Sequence, residues 1–110
     1  MKQIVWLIFL FFTSLSFSQT KESELYLEYK KADSEMNAVY AKLKNKLEST
    51  DKKALVGAQK AWLKFRDLNC KFISKEDSDG GVIANKMKID YLTQSTLERT
   101  KELKKLLTEF

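Results

Sequence analysis

The sequence has no histidine, no proline, one cysteine and only three glycines, and each shortage removes a class of function. Without imidazole there is no His-dependent triad, no Cys–His pair and no imidazole metal site. Cys70 has no partner in the chain for a disulfide and is not by itself a metal site. With no base near it in the sequence, it reads as a partly buried small hydrophobe rather than a nucleophile. Gly57, Gly80 and Gly81 match no phosphate-binding loop. The close acid pairs Glu22/Glu24 and Asp77/Asp79 fall at solvent and loop positions, a poor setting for paired-carboxylate catalysis. The composition therefore points to a binding module, not an enzyme, with no catalytic residue, cofactor or metal site.

The first 18 residues have a purpose of their own. Lys2 is followed by an unbroken apolar run from Ile4 to Phe12 and then by small and polar residues ending Ser16, Phe17, Ser18. This is the layout of a secretory signal peptide, with cleavage expected between Ser18 and Gln19. The alternative, an uncleaved anchor, needs about 20 apolar residues, and this run is interrupted by Thr13 and Ser14. Residues 1–18 are thus read as the signal and residues 19–110 as one exported domain, periplasmic or extracellular, soluble and without a membrane span after cleavage. Without Lys2 there remain 19 basic and 15 acidic residues. Export and the interspersed charges argue for a solvated surface over nucleic-acid binding.

The remaining chain is rich in Leu, Lys, Glu and Ala, a composition that favours helix throughout. From about Glu22 to Glu48, Leu25, Tyr29, Ala32, Met36, Val39, Tyr40, Leu43 and Leu47 recur at helical spacing and predict a long amphipathic helix. Ser49, Thr50 and Asp51 are candidate N-caps for a second helix beginning near Asp51 and ending near Ser74. The stretch KEDSDGG predicts the main loop, and a third helix follows from about Val82 to Thr108. The fold expected is all-α, an antiparallel bundle of about three helices, with a break allowed early in the third. On a helical wheel, Leu55, Ala58, Trp62, Phe65 and Ile73 cluster on one side of the second helix, with Leu68 and Phe72 on a flank. So wide an apolar arc predicts that the second helix is sandwiched between the other two. Trp62 and Phe65 are read as core, the alternative being an exposed aromatic anchor.

Polar residues interrupt these faces. Gln59, Arg66 and Asn69 lie within or beside the apolar arc of the second helix, and Thr96 and Arg99 sit between leucines on the third. An unpaired buried guanidinium would cost several kcal/mol or more. The expectation is a polar network joining Arg66 and Arg99 to Asp33 or Asp67, Gln59 and Thr96. The alternative is that both arginines bury only their stems and keep their heads in water.

These residues carry a resemblance. The segment AQKAWLKFRDLNC, with Ala58, Gln59, Trp62, Leu63, Phe65, Arg66, Asp67 and Cys70, resembles the central motif of the lysozyme inhibitor LprI-like family. ADSEMNAVY is similar to the family's upstream block through Ala32, Asp33, Asn37 and Tyr40, with Met36 in place of leucine. Gly80 and Gly81, and then Thr96, Arg99, Thr100 and Leu103, resemble its downstream blocks. The four blocks stand in the family's order and span nearly all of residues 19–110. One position departs: where the family commonly has a second cysteine, this chain has Tyr91. The disulfide thereby lost would close a loop of about 20 residues and contribute roughly 3 kcal/mol, and Tyr91 packed near Cys70 is the expected substitute.

The resemblance implies a small exported helical protein with lysozyme as candidate partner. A cleft-filling feature is then needed, and the Ser74–Val82 loop is the candidate, with Glu76, Asp77 and Asp79 to face a basic enzyme and Gly80 and Gly81 to permit tight turns. The alternative is a structural or envelope-binding module that recognises an anionic polymer or another protein through Lys60, Lys64, Lys71, Lys101, Lys104 and Lys105.

Overall fold

The computed structural model describes the backbone of residues 2–75 and 81–110 and the side chains of residues 21–75 and 81–110. Three helices account for nearly all of it: α1 (Lys2–Lys46), α2 (Ser49–Ser74) and α3 (Gly81–Glu109), with no strand among the described residues. With no proline to remove a backbone donor, nothing in the sequence interrupts these long helices. The helix of α1 also takes in the stretch read as a signal peptide, whose side chains lie outside the described residues.

One helix boundary differs from expectation. Helix α2 starts at Ser49, two residues before Asp51, with Glu48 as its N-cap and no side-chain capping bond; the Glu48 carbonyl accepts from Lys52 N–H at 2.8 Å. Helix α3 is continuous and has no early break. The connection from α1 to α2 is only Leu47 and Glu48, short enough to force the two helices antiparallel.

The cross-helix contacts fix the packing. Arg66 meets Thr96, Gln59 meets Arg99 and Asn69 meets Tyr91, so α2 and α3 are antiparallel. Glu35 pairs with Lys104, and Lys46 donates to the Leu107 carbonyl, so α1 and α3 run parallel. The most extensive contact is between α1 and α3, and the least is between α1 and α2. The helix shared by both neighbours is therefore α3, not α2 as the wheel suggested.

The register of α2 also differs. Its buried residues are Leu55, Gln59, Arg66, Cys70 and Ser74. Phe65 is 62% exposed and Phe72 80%, so neither belongs to the core. Hydrophobicity alone rotated the face toward Ala58 and Phe65, because the chain buries Gln59 and Arg66 and leaves phenylalanines outside, although Leu55 and Trp62 pack inward as expected. Trp62 is half-buried and packs on the core. The core is Met36, Val39, Leu43, Leu55 and Leu103, with Leu63, Leu106 and Leu107 against it. All lie toward the end of the bundle that holds the α1–α2 connection; Phe110, last of the α3 stripe, is exposed.

Two backbone positions are mismatched to their residues. Gly57 lies inside α2, where a Cβ would meet nothing within 4 Å. Lys75 caps the same helix in the left-handed conformation (φ 51, ψ 50), its N–H donating to the Lys71 carbonyl. Glycine in a helix interior costs about 0.5–1 kcal/mol relative to alanine, and a left-handed lysine costs roughly 1–2. Gly57→Ala and Lys75→Gly should each raise the stability measured by urea denaturation, by about 0.5–1 kcal/mol. Leu103→Ala should cost about 2–5 kcal/mol, whereas Phe65→Ala should cost less than about 1; equal costs would contradict the observed register.

Candidate functional site

The residues singled out by sequence converge where the three helices meet, on the side of the core away from the α1–α2 connection. Arg66, on the inner face of α2, is 7% exposed. Its Nη1 donates to Thr96 Oγ1 at 3.2 Å, its Nε donates to Asp67 Oδ1 at 3.0 Å, and Nη1 stands 3.9 Å from Asp33 Oδ1. The guanidinium carbon also lies over two rings, 5.4 Å from the centre of Trp62 and 5.9 Å from that of Tyr29. A buried cation is tolerable because its donors find acceptors and its face finds aromatic quadrupoles. The carboxylates of Asp33 and Asp67 remain partly or largely in water, so the charge is neutralised without burying a second ion.

One turn toward the core, the pattern repeats. Arg99 Nε donates to Gln59 Oε1 at 3.0 Å, and its Nη1 donates to Glu102 Oε2 at 2.9 Å. Its guanidinium carbon is 5.8 Å from the centre of the Trp62 ring. Trp62 thus lies within cation–π reach of both arginines. Gln59 directs its Nε2 to Met36 Sδ at 3.6 Å, the longer reach expected of a sulfur acceptor. No buried side-chain nitrogen or oxygen among the described residues is left without a partner.

Arg66 thus reaches both candidate aspartates, while Arg99 reaches neither and uses Glu102. Asp33 also accepts from Asn37 Nδ2 at 3.4 Å, and Tyr40 packs against the core. Thr96 is fully buried, and the Thr100 hydroxyl donates to its carbonyl at 2.9 Å. Glu76, Asp77, Asp79 and Gly80 lie outside the described residues; Gly81 opens α3 with φ +53. Cys70 is in no disulfide and is 2% exposed, and its Sγ donates to the Lys88 carbonyl at 3.7 Å. Beside it Asn69 Nδ2 donates to Tyr91 Oη at 2.7 Å, so Tyr91 links α2 to α3 through a hydrogen bond next to the cysteine.

Sequence reasoning missed three participants. Glu102 could have been found from its i,i+3 spacing to Arg99. Tyr29 and Met36 could not be assigned, because each meets its partner only after two helices have packed. The expectation for Tyr91, packing near Cys70, did not extend to its bond with Asn69. Burial raises the Tyr29 pKa above its ordinary value, with the Arg66 cation acting in the opposite direction. At the surface, a hydrogen bond from Lys104 lowers the Glu35 pKa. The arrangement holds three helices in register with all its polar groups engaged.

A family model described as lysozyme inhibitor LprI matches residues 18–103. The chain belongs to the LprI family. Among curated proteins, an uncharacterized protein of Rhizobium meliloti (strain 1021) is 31% identical to it over 93 residues, covering 73% of this chain and 66%, just under two thirds, of the relative. No solved structure matches. In this LprI-family chain Gln59, Trp62, Arg66, Thr96 and Arg99 face one another across the helices, while Ala58 and Phe65 of the same motif stretch are exposed.

Removing one member of such a network should cost more than its exposure suggests. Arg66→Met should destabilise by about 2–4 kcal/mol, leaving Thr96 without its donor. A double-mutant cycle with Asp33→Asn should show coupling below about 1 kcal/mol, given the 3.9 Å separation and the wet carboxylate. Because Tyr29 ionises at higher pH in the folded chain than in the unfolded one, stability should hold up to its ordinary pKa of 10.0 and fall as the pH rises beyond it. Tyr29→Phe should remove that part of the alkaline loss, as read by denaturation at stepped pH.

Proposed function

We propose that this chain is an exported, non-catalytic binding protein that inhibits a lysozyme by filling its substrate cleft. Membership in the LprI family is the observation that carries the reading. The geometry supports it by the manner in which the Ser74–Val82 connection is carried. Contacts between Asn69 and Tyr91 and between Cys70 and Lys88 hold the end of α2 beside the start of α3. Lys75 and Gly81, which bracket the connection, both have positive φ, so the backbone turns sharply on leaving and on entering a helix. A connection held at both ends loses less entropy when a partner immobilises it, and Glu76, Asp77 and Asp79 supply negative charge for a basic cleft.

The Lys101–Lys104 part of the lysine face is less suited to an anionic polymer. Lys104 is engaged by Glu35 at 2.7 Å. The shallow groove beside it, about 400 Å³, is also lined by Glu98 and Lys101, so both charge signs alternate there.

Lysis of a peptidoglycan cell suspension by several lysozyme classes, followed by turbidity, tests the proposal. Inhibition of one class is expected at micromolar protein. The variant in which Glu76, Asp77 and Asp79 are all alanine should weaken that inhibition at least about tenfold with an unchanged helical spectrum. No inhibition of any class by folded protein would reject lysozyme as the partner. Mass analysis of the exported product should show Gln19 at its N-terminus; intact residues 1–18 would reject the signal-peptide reading.

A further inference from the structure

The outward side of α2 carries an apolar seam that the described residues leave open. Ala54, Ala58, Ala61, Phe65, Leu68 and Phe72 follow one another at steps of four, three, four, three and four, and all six are exposed. Phe65 and Phe72 rank with the most exposed large hydrophobics of the chain, and Leu68 is 57% exposed. These steps average 3.6 residues, the helical repeat, so the six side chains form one line along a single face that a neighbouring helix could cover. Helix α2 therefore has two seams, the inner one of Leu55, Gln59, Trp62, Arg66 and Cys70 and this outer one. Gly57 borders the outer seam with open space where its Cβ would be.

Charge identifies the occupant. Lys64 and Lys71 flank the seam on one side, with Lys53 and Lys60 farther round, and none of the four has an ion pair among the described residues. We infer that the seam docks an amphipathic helix of a partner protein, an apolar stripe flanked by Asp and Glu. Its length would be about 27 Å, the span of the six positions at 1.5 Å per residue. A second copy of this chain does not meet the requirement. The positions flanking the seam are Gly57, Lys64 and Lys71 on one side and Leu55, Trp62 and Asn69 on the other. Neither parallel nor antiparallel self-pairing therefore offers those lysines a carboxylate. A lipid surface fits less well, because half of the seam is alanine, which inserts little apolar area, whereas alanine allows a partner helix to approach closely. The inference does not depend on the lysozyme reading.

The test uses the protein as its host processes it and two labelled 21-residue helical peptides with leucine at the seam positions, one flanked by glutamate and the other by lysine. Fluorescence anisotropy should show the glutamate peptide binding at micromolar concentration, at least about tenfold tighter than the lysine peptide, and more weakly as salt rises. The double variant Phe65→Glu, Leu68→Glu should abolish binding with unchanged circular dichroism, and Phe65→Ala should weaken it several-fold with the fold intact. Equal binding of the two peptides, no binding of either, or full binding by the double variant would overturn the inference. A concentration-dependent dimer in sedimentation, lost in that variant, would assign the seam to a second copy. Cosedimentation with phosphatidylglycerol vesicles, lost in the variant and without peptide binding, would assign it to a membrane; both results overturn the proposal.

Discussion

The structure depends on placing two guanidinium groups inside a three-helix bundle without leaving either one bare. Trp62 makes this possible. Its ring lies within 6 Å of both arginine carbons, Arg66 at 5.4 Å and Arg99 at 5.8 Å. Each arginine then spends its donors on one interior and one peripheral acceptor: Thr96 and Asp67 for Arg66, Gln59 and Glu102 for Arg99. The interior acceptors fix which turn of α2 faces which turn of α3, and the peripheral carboxylates keep the negative charge hydrated. A shift by one turn would break both sets at once, so these bonds specify register in a way a uniform leucine seam would not.

Helix number, helix type and the stripe of α1 are legible in the sequence, because the buried residues of α1 are apolar; on α3 the stripe is legible although Thr96 and Thr100 are buried beside Leu103. Ala32, Met36, Val39, Leu43 and Leu103 are all buried as their spacing predicts. On α2 the same arithmetic fails in an instructive way. Phe65, Leu68 and Phe72 outweigh Gln59 and Arg66 on any hydrophobicity scale, yet the polar pair is inside. The oddities that stood out in the sequence, a glutamine and two arginines among hydrophobes, mark the true inner face better than the hydrophobes do. Which carboxylate each arginine would choose was not legible, since it depends on the rotation of α2 about its own axis.

Several residues of the motif stretches are also the ones that tie the helices together. Asp33, Gln59, Trp62, Arg66, Thr96 and Arg99 come from three separate stretches of sequence and meet in two successive turns of the bundle. The exposed outer face of α2, Ala58 and Phe65 included, takes no part in this network.

The unequal filling of the bundle has a consequence for motion. The apolar core gathers beside the short α1–α2 connection, while toward the other end the interior is Cys70, Ser74 and Tyr29, with an open groove of about 430 Å³ between α1 and α3 bordered by Tyr26 and Ile89. Burial of hydrophobic area sets the free energy of local opening, so protection from hydrogen exchange should decline along the bundle's length. The fold is thus anchored from one end, and the first turns of α3 beside the groove should open before the arginine network does.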